Sequence, residues 1–195
     1  MINKQPDPFF HKLRPRLVSA KPAPPAPGLL ETSVAVLLAP GPSGLEVLFI
    51  RRAERAGDPW SGHIGLPGGR REGGDAGLLD TAIRETREEI GVDLAPGALL
   101  GALDDLAPSI PSAPPLMIRP YVFGVSPRPR AGVSEEVVCS YWVPLGSLHG
   151  ARDSAKVSVR EKILDVPCFR LPELPEGLVV WGLTYRILNG LLPLV

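Results

Sequence analysis

The sequence predicts an α/β fold in which a β-sheet is covered by helices on both faces. Apolar, strand-like segments come before and after one amphipathic helix, and a second amphipathic helix ends the chain. This order allows each face of one sheet to receive a helix. The chain has 195 residues, of which 44% are apolar, and this is enough for one domain with its own core.

The first part of the sheet is predicted from two apolar runs. Residues 32–39 form one strand and residues 45–52 the next, with a Pro- and Gly-rich turn at residues 40–44 between them. This spacing predicts a hairpin. Residues 53–66 then form a long loop, and long irregular loops in compact domains are often functional.

A glycine-rich loop at residues 68–75 leads into the central helix, predicted over residues 76–90. Its apolar stripe at helical spacing consists of Leu79, Ala82, Ile83, Thr86 and Ile90. Asp75 and Asp80 place negative charge near its beginning, where the helix dipole favours it. Gly91 is a typical stop signal.

The rest of the chain is predicted to complete the sheet and to end in a helix. We expect strands at residues 98–103, 116–125 and 137–143, a strand or hairpin arm at residues 157–166, a turn at residues 127–132, a helical turn at residues 144–148 and the last helix at residues 178–192. Pro120 predicts a sheet edge or a bulge within its strand. The prolines of residues 108–115 predict an irregular loop.

The N-terminal residues 1–30 are rich in proline and are predicted to precede a domain formed by residues 31–195. A short amphipathic helix that packs on this domain is predicted from Phe9, Phe10, Leu13 and Leu17. The prolines of residues 22–27 end that helix.

Composition argues against several classes of partner. The formal net charge is zero, with 21 basic and 21 acidic residues, so we predict no nucleic-acid partner. The chain has no apolar run of membrane-spanning length and no signal-peptide core at its N-terminus. Cys139 and Cys168 lack metal-site spacing and are expected to be free thiols. We predict a cytoplasmic protein without a membrane partner, and a homodimer is compatible with the sequence.

Three glutamates project from one side of the central helix. Glu85 and Glu89 are four residues apart, and Glu88 is three residues from Glu85. Their like charges repel one another unless a cation lies between them, and all-oxygen ligands suit Mg²⁺ or Mn²⁺. The alternative is a solvated acidic face balanced by Arg84 and Arg87.

The glycine loop favours the functional interpretation of the glutamates. Gly68 and Gly69 follow Pro67 directly, and glycines allow the backbone to approach a ligand closely. The combination of this loop, the carboxylate helix and Arg84 is far more specific than any one of its parts.

This stretch resembles the Nudix box, which reads Gly, five residues, Glu, seven residues, then Arg-Glu-apolar-x-Glu-Glu-x-Gly-apolar. The residues that match are Gly69, Arg84, Glu85, Glu88, Glu89, Gly91 and Val92. Asp75 stands at the first acidic position, with eight residues instead of seven before Arg84, and Thr86 occupies an apolar position. Whether Asp75 or Glu72 takes the supporting acidic role stays open. The resemblance implies an α/β/α sandwich with a mixed sheet between helices.

Segments outside the box resemble the coenzyme A pyrophosphatase branch of this family. They are Arg52-Ala53, Gly62 and Leu66-Pro67-Gly68-Gly69 before the box, and Ser134-Glu135-Glu136-Val137 and Val180-Trp181-Gly182-Leu183-Thr184 after it. The spacing from Arg52 to Gly62 is one residue too long, and Asp58 lies near the expected middle basic residue, which Arg55 would replace.

The resemblance implies a metal site and a catalytic site on the central helix. The implied metal ligands are Glu85 and Glu89, with Glu88 as a third ligand and the backbone carbonyl of Gly69 as a further one. Arg84 is expected to hold a carboxylate in place, because an arginine grips carboxylates with two hydrogen bonds. Glu136, directly before a strand, is a candidate general base, but it is equally compatible with a solvated loop acid.

Residues around the glycine loop are candidates for binding substrate, namely Arg52, Arg55, His63, Gly68 and Gly69. The two arginines would hold phosphates, although both are also compatible with an uninvolved surface. His63 is a lone loop histidine and therefore a weak signal. Trp60 is expected either to stack on a base or to cap the core.

The resemblance implies a metal-dependent enzyme with a small-molecule diphosphate as its substrate. Coenzyme A or a derivative would be cleaved to adenosine 3′,5′-bisphosphate and a phosphopantetheine product. One alternative is hydrolysis of another nucleoside diphosphate derivative or of a nucleoside triphosphate. Another is a binding module without activity, and the presence of Glu85, Glu88 and Glu89 argues against it.

Overall fold

The computed structural model describes residues 8–17, 28–57, 60–108, 115–159 and 162–195. The helices are α1 (Pro8–Leu17), α2 (Leu78–Ile90), α3 (Leu145–Leu148) and α4 (Gly182–Leu191). The strands are β1 (Leu30–Gly41), β2 (Gly44–Arg52), β3 (Ile64–Gly65), β4 (Gly68–Arg70), β5 (Leu99–Ala102), β6 (Leu116–Gly124), β7 (Val137–Pro144), β8 (Arg152–Val159), β9 (Lys162–Phe169) and β10 (Val180–Trp181). Two 3₁₀ turns, Pro96–Ala98 and Leu192–Leu194, complete the elements of these ranges.

The main sheet is mixed, as expected. β1 and β6 run parallel over nine residue pairs, and the other ladders of this sheet are antiparallel. β1 and β2 form the predicted hairpin, but they pair only near their turn. Farther from the turn β3 pairs with β2 and β4 pairs with β1. The two hairpin strands thus diverge, and the glycine segment fills the space between them.

Helices cover both faces of this sheet, which confirms the predicted fold class. Because side chains alternate along a strand, Val36 and Leu38 face one layer, whereas Ala35 and Leu37 face the other. The first layer contains residues of α1 and α4, and the second contains Ala82 and Ile90 of α2. The apolar run of β1 is therefore buried on both sides.

The central helix ends as predicted. Gly91 adopts a left-handed backbone with φ of 68°, and its N–H donates to the carbonyl of Arg87 at 2.9 Å. A residue with a side chain would be strained there, so glycine at this position stops the helix. Thr86 occupies its apolar position with its hydroxyl satisfied, because the buried hydroxyl donates to the carbonyl of Ala82 at 2.7 Å.

The N-terminal helix packs on the sheet. Its side chains Phe10, Leu13 and Leu17 are buried in the same core cluster as α4. Gly101 and Gly124 make room for it: a Cβ at Gly101 would lie 2.7 Å from the carbonyl oxygen of Leu17, and one at Gly124 would lie 2.8 Å from the ring of Phe10. The predicted end of this helix at residues 22–27 lies outside the described residues.

Two sequence expectations for the second half of the chain need correction. The last helix begins at Gly182, not near residue 178, because Val180 and Trp181 pair with β9 as a short strand. Residues 157–166 span both arms of a hairpin, β8 and β9, which joins β10 in a second, three-stranded sheet. The expected loop at residues 108–115 lies largely outside the described residues.

Pro120 lies in an interior strand and not at the sheet edge, because β6 is between β1 and β5. The β5 ladder ends before this point, and the carbonyl of Pro120 accepts from the N–H of Leu103 at 2.9 Å. A separate bridge then joins Leu106 to Ile118. The missing N–H of Pro120 thus falls at an interruption of the ladder, where it costs little.

Cys139 and Cys168 are free thiols. None of the helices in the described ranges is both long enough and apolar enough to cross a membrane.

Candidate active site

The glycine pair brings backbone against both the sheet and the central helix. A Cβ at Gly68, whose φ is 153°, would collide with the backbone of Ser33 and Val34 in β1. A Cβ at Gly69 would collide with the carboxylate of Glu85 on α2. At Gly68 only glycine fits, because the obstacle is backbone, whereas a side chain at Gly69 would push the Glu85 carboxylate away from its place against the loop backbone.

Glu89 is buried, and its side chain is 3% exposed. One carboxylate oxygen accepts from the N–H of Gly68 at 2.9 Å, and the other lies 3.9 Å from a guanidinium nitrogen of Arg52. Burial raises the pKa of Glu89 to about 7, against the lowering influence of Gly68 and Arg52, and the charges of Glu85 and Glu136 add to the rise. The fold thus holds a carboxylate whose charge is poorly compensated.

Glu85 and Glu88 both contact Arg84. The same nitrogen, Nη1, donates to Glu85 at 3.0 Å and to Glu88 at 2.9 Å. Burial raises the pKa of Glu85 in spite of Arg84, and Glu88 and Glu136 contribute to that rise. Glu88 is 53% exposed, so it is the glutamate that can most readily change its partner.

Arg84 is held in place by Asp75, so the acid that supports the box is Asp75 and not Glu72. Nε and Nη2 of Arg84 each donate to one oxygen of Asp75 at 3.0 Å. Asp75 also accepts from the hydroxyl of Thr81 and from the N–H of Glu72, both at 2.9 Å. The hydrogen bond from Arg84 is the main cause that holds the pKa of Asp75 far below its usual range. The side chain of Glu72 is 3.9 Å from Arg84 and 70% exposed.

The donor set fits a hard divalent cation. The three glutamates supply only oxygen, and burial leaves two of them with raised pKa values, which a bound cation would reverse. In the described ranges, no three acidic, histidine or cysteine side chains already converge on one point. The reason is visible in the contacts, since Glu85 and Glu88 turn towards Arg84 while Glu89 turns towards Gly68.

Glu136 lies close enough for its charge to act on two of these glutamates, although its segment is far from them in sequence. Val137, the next residue, pairs with Arg52, whose side chain reaches Glu89. The charge of Glu136 contributes to the raised pKa values of Glu85 and Glu89. Its own carboxylate accepts from Arg55 at 3.2 Å.

An aromatic group borders the same region. The ring of Trp181 lies 5.8 Å from that of Trp60 and 5.0 Å from that of His63, the latter edge to face. The N–H of Arg52 donates to the carbonyl of His63 at 3.0 Å, which connects this group to the carboxylates. Trp60 packs on Trp181 while staying 37% exposed. Sequence reasoning noted Trp181 only as part of a family resemblance and gave it no place at the site.

The predicted site residues therefore fall into three groups. Arg52, Gly68, Gly69, Arg84 and the three glutamates are neighbours around α2 and β4. Arg55 and Glu136 contact each other, and His63 contacts Trp181. Sequence reasoning missed Thr81 and the carbonyl of Arg70, which accepts from Arg84 at 3.0 Å.

Comparison with known proteins identifies the family. A family model of the NUDIX domain matches residues 29–165, and the chain belongs to the Nudix family. It is a Nudix enzyme of the diphosphatase class. Nudix hydrolases generally use divalent metal ions.

Individual relatives are more distant. An uncharacterized protein of Schizosaccharomyces pombe is 39% identical over 107 residues, which are 52% of this chain and 32% of that protein, so the chain spans about a third of its length. The uncharacterized Nudix hydrolase NudL of Yersinia pestis is 26% identical over 81% of this chain and 75% of NudL. The NUDIX domain of Shewanella oneidensis NrtR, solved with ADP ribose, is 25% identical with a TM-score of 0.51, covering 60% of this chain and 74% of that one.

Proposed function

We propose that the chain hydrolyses the diphosphate bond of coenzyme A or a derivative, releasing adenosine 3′,5′-bisphosphate and a phosphopantetheine product. The observation that carries this proposal is the meeting of three segments that resemble the coenzyme A pyrophosphatase branch. The N–H of Ala53 donates to the carbonyl of Glu136 at 2.8 Å, and the ring of His63 contacts Trp181. Segments far apart in sequence thus meet, and Arg52 of the first one lies 3.9 Å from the Glu89 carboxylate.

The ligands proposed for Mg²⁺ or Mn²⁺ are Glu85, Glu88, Glu89 and the carbonyl of Gly69. When bound, such a cation neutralises the charge of the diphosphate and of the leaving phosphate. Arg84, held by Asp75, keeps Glu85 against the glycine loop. Arg52 lies beside Glu89 and can orient a substrate phosphate.

Glu136 is our candidate for the residue that takes a proton from the attacking water. It comes from a loop outside α2, and its charge influences Glu85 and Glu89. A cytoplasmic location and a homodimer stay predictions from the sequence.

A second candidate is hydrolysis of another nucleoside diphosphate derivative or of a nucleoside triphosphate. It is favoured by the similarity to the NrtR NUDIX domain, whose structure contains ADP ribose. The two candidates share the same carboxylates and differ in the group attached to the diphosphate.

A substrate panel decides between them. The panel of substrates consists of coenzyme A, ADP-ribose, NADH and deoxynucleoside triphosphates. The phosphate-containing products of each are measured with Mg²⁺ and with Mn²⁺. We expect the highest kcat/KM for coenzyme A. A higher value for ADP-ribose or a triphosphate would replace the first candidate by the second.

A further inference from the structure

Arg55 was expected to bind a substrate phosphate, but its guanidinium is directed to the loop that carries Glu136. Nη1 donates to the carboxylate of Glu136 at 3.2 Å, and Nη2 donates to the carbonyl of Glu135 at 3.3 Å. The two bonds fix both the side chain of Glu136 and the backbone before it.

These contacts are part of a closed ring of hydrogen bonds. The N–H of Arg55 donates to Oγ of Ser61 at 2.6 Å, and this hydroxyl is 3.5 Å from the carbonyl of Ala53. The N–H of Ala53 then donates to the carbonyl of Glu136 at 2.8 Å. A further bond joins the N–H of Glu136 to Oγ of Ser134 at 3.2 Å. The loop after β2 and the segment before β7 therefore hold each other.

Stability alone gives no reason for this arrangement. The side chains of Arg55 and Glu136 are 46% and 47% exposed, and ion pairs this exposed contribute little to the stability of a fold. What the contact does fix is the direction of the Glu136 side chain, next to the strand position whose partner, Arg52, reaches Glu89.

We propose that Arg55 is a positioning residue that holds the Glu136 carboxylate in place for proton transfer, with Ser61 holding Arg55. This inference rests on the proposed role of Glu136 as general base. It is independent of which diphosphate compound is the best substrate.

A double-mutant cycle tests the inference on the substrate with the highest kcat/KM in the panel. Arg55→Ala should lower kcat on the order of tenfold with KM within about threefold, because a misdirected base transfers protons less efficiently. Glu136→Gln should lower kcat further. The double variant should have the same kcat as Glu136→Gln alone, since Arg55 then has no base left to position. Arg55→Lys should recover part of the loss, and Ser61→Ala should show a smaller loss of the same kind.

Other outcomes would overturn the inference. If Arg55→Ala raises KM at unchanged kcat, and this effect adds fully to that of Glu136→Gln in the double variant, Arg55 binds the substrate directly. Wild-type kinetics in Arg55→Ala would show an uninvolved surface pair. If Glu136→Gln itself turns over like wild type, Arg55 has no base to position, while the choice of coenzyme A as substrate is untouched.

The chain offers a matched control pair in the second sheet. Arg170 donates to Asp153 at 2.6 Å, with side chains 52% and 47% exposed, so it resembles the Arg55–Glu136 pair in exposure and charge. Arg170→Ala should leave kcat and KM unchanged. Thermal unfolding of all variants should stay within a few degrees of wild type, which separates positioning from loss of fold.

Discussion

Glu89 accepts a hydrogen bond from the backbone N–H of Gly68 at 2.9 Å, so a nearly buried carboxylate connects the central helix to the glycine loop. Glu89→Gln can keep this bond, because the amide oxygen is also an acceptor. It removes the negative charge that a cation requires, so we expect loss of most turnover with a native fold. Activity with Mg²⁺ and Mn²⁺, together with circular dichroism, measures this. Turnover within a few-fold of wild type would disprove the metal-site assignment.

The same residue predicts a pH dependence of stability in the metal-free protein. Burial raises the pKa of Glu89 from 4.5 to about 7, so the folded state binds its proton more tightly than the unfolded state does. The resulting stability is fully present below about pH 4.5 and is lost as the pH rises through 7. The Glu89→Gln variant does not lose this stability as the pH rises. Its free energy of unfolding should therefore exceed that of wild type by a margin that grows to about 3 kcal/mol by pH 8. Urea unfolding of both proteins in EDTA at pH 5 and pH 8 tests this prediction. The same difference in the free energy of unfolding at the two pH values would contradict it.

Asp75 and Glu72 can be separated by a pair of matched variants. Asp75→Asn removes a buried charge that receives two bonds from Arg84, and we expect a loss of about 3 kcal/mol in the free energy of unfolding. Turnover should fall too, because Arg84 also orients Glu85 and Glu88. Glu72→Gln, at an exposed side chain 3.9 Å from Arg84, should cost less than about 0.5 kcal/mol. Equal effects on denaturant midpoints would mean that the supporting role is shared.

Local patterns in the sequence predicted the central helix, its glycine stop and the glutamate face. They could not predict where α4 begins, because Val179 and Val180 suit a short strand and a helix equally well. Pairing with β9 decides this, and that contact is not local.

The same limit applies to the site. The resemblance to a known box placed Arg84 among the carboxylates, but it left Asp75 and Glu72 as alternatives until the bidentate contact was seen. Arg55 and Glu136 are 81 residues apart, and no periodicity connects such positions. The role of Trp181 beside His63 likewise depends on the packing of β10 against the loop.

Glu136 and Glu135 are neighbours with equal charge, which makes one a control for the other. Glu136→Gln should lower kcat by about 10²–10⁴-fold if it is the base. Glu135→Gln should change little, because the contact of Glu135 with Arg55 is through its backbone carbonyl. Metal affinity, measured by titration calorimetry, should stay constant in both. Equal small effects would return the search for the base to Glu85, Glu88 and Glu72, and sharply weaker metal binding in Glu136→Gln would indicate a ligand instead.

Gly101 and Leu17 predict how firmly α1 is held to the sheet. A Cβ at Gly101, where φ is 158°, would lie 2.6 Å from the Cβ of Leu17 and 2.8 Å from its carbonyl carbon. Because backbone cannot yield as a flexible side chain can, Gly101→Ala should displace α1 and cost about 1–3 kcal/mol in the free energy of unfolding. Gly190→Ala is the control, since its Cβ meets nothing within 4 Å in α4 and should be neutral or stabilise by about 0.5–1 kcal/mol. Urea unfolding measures both variants, and a Gly101→Ala protein as stable as wild type would show that α1 does not need this close contact.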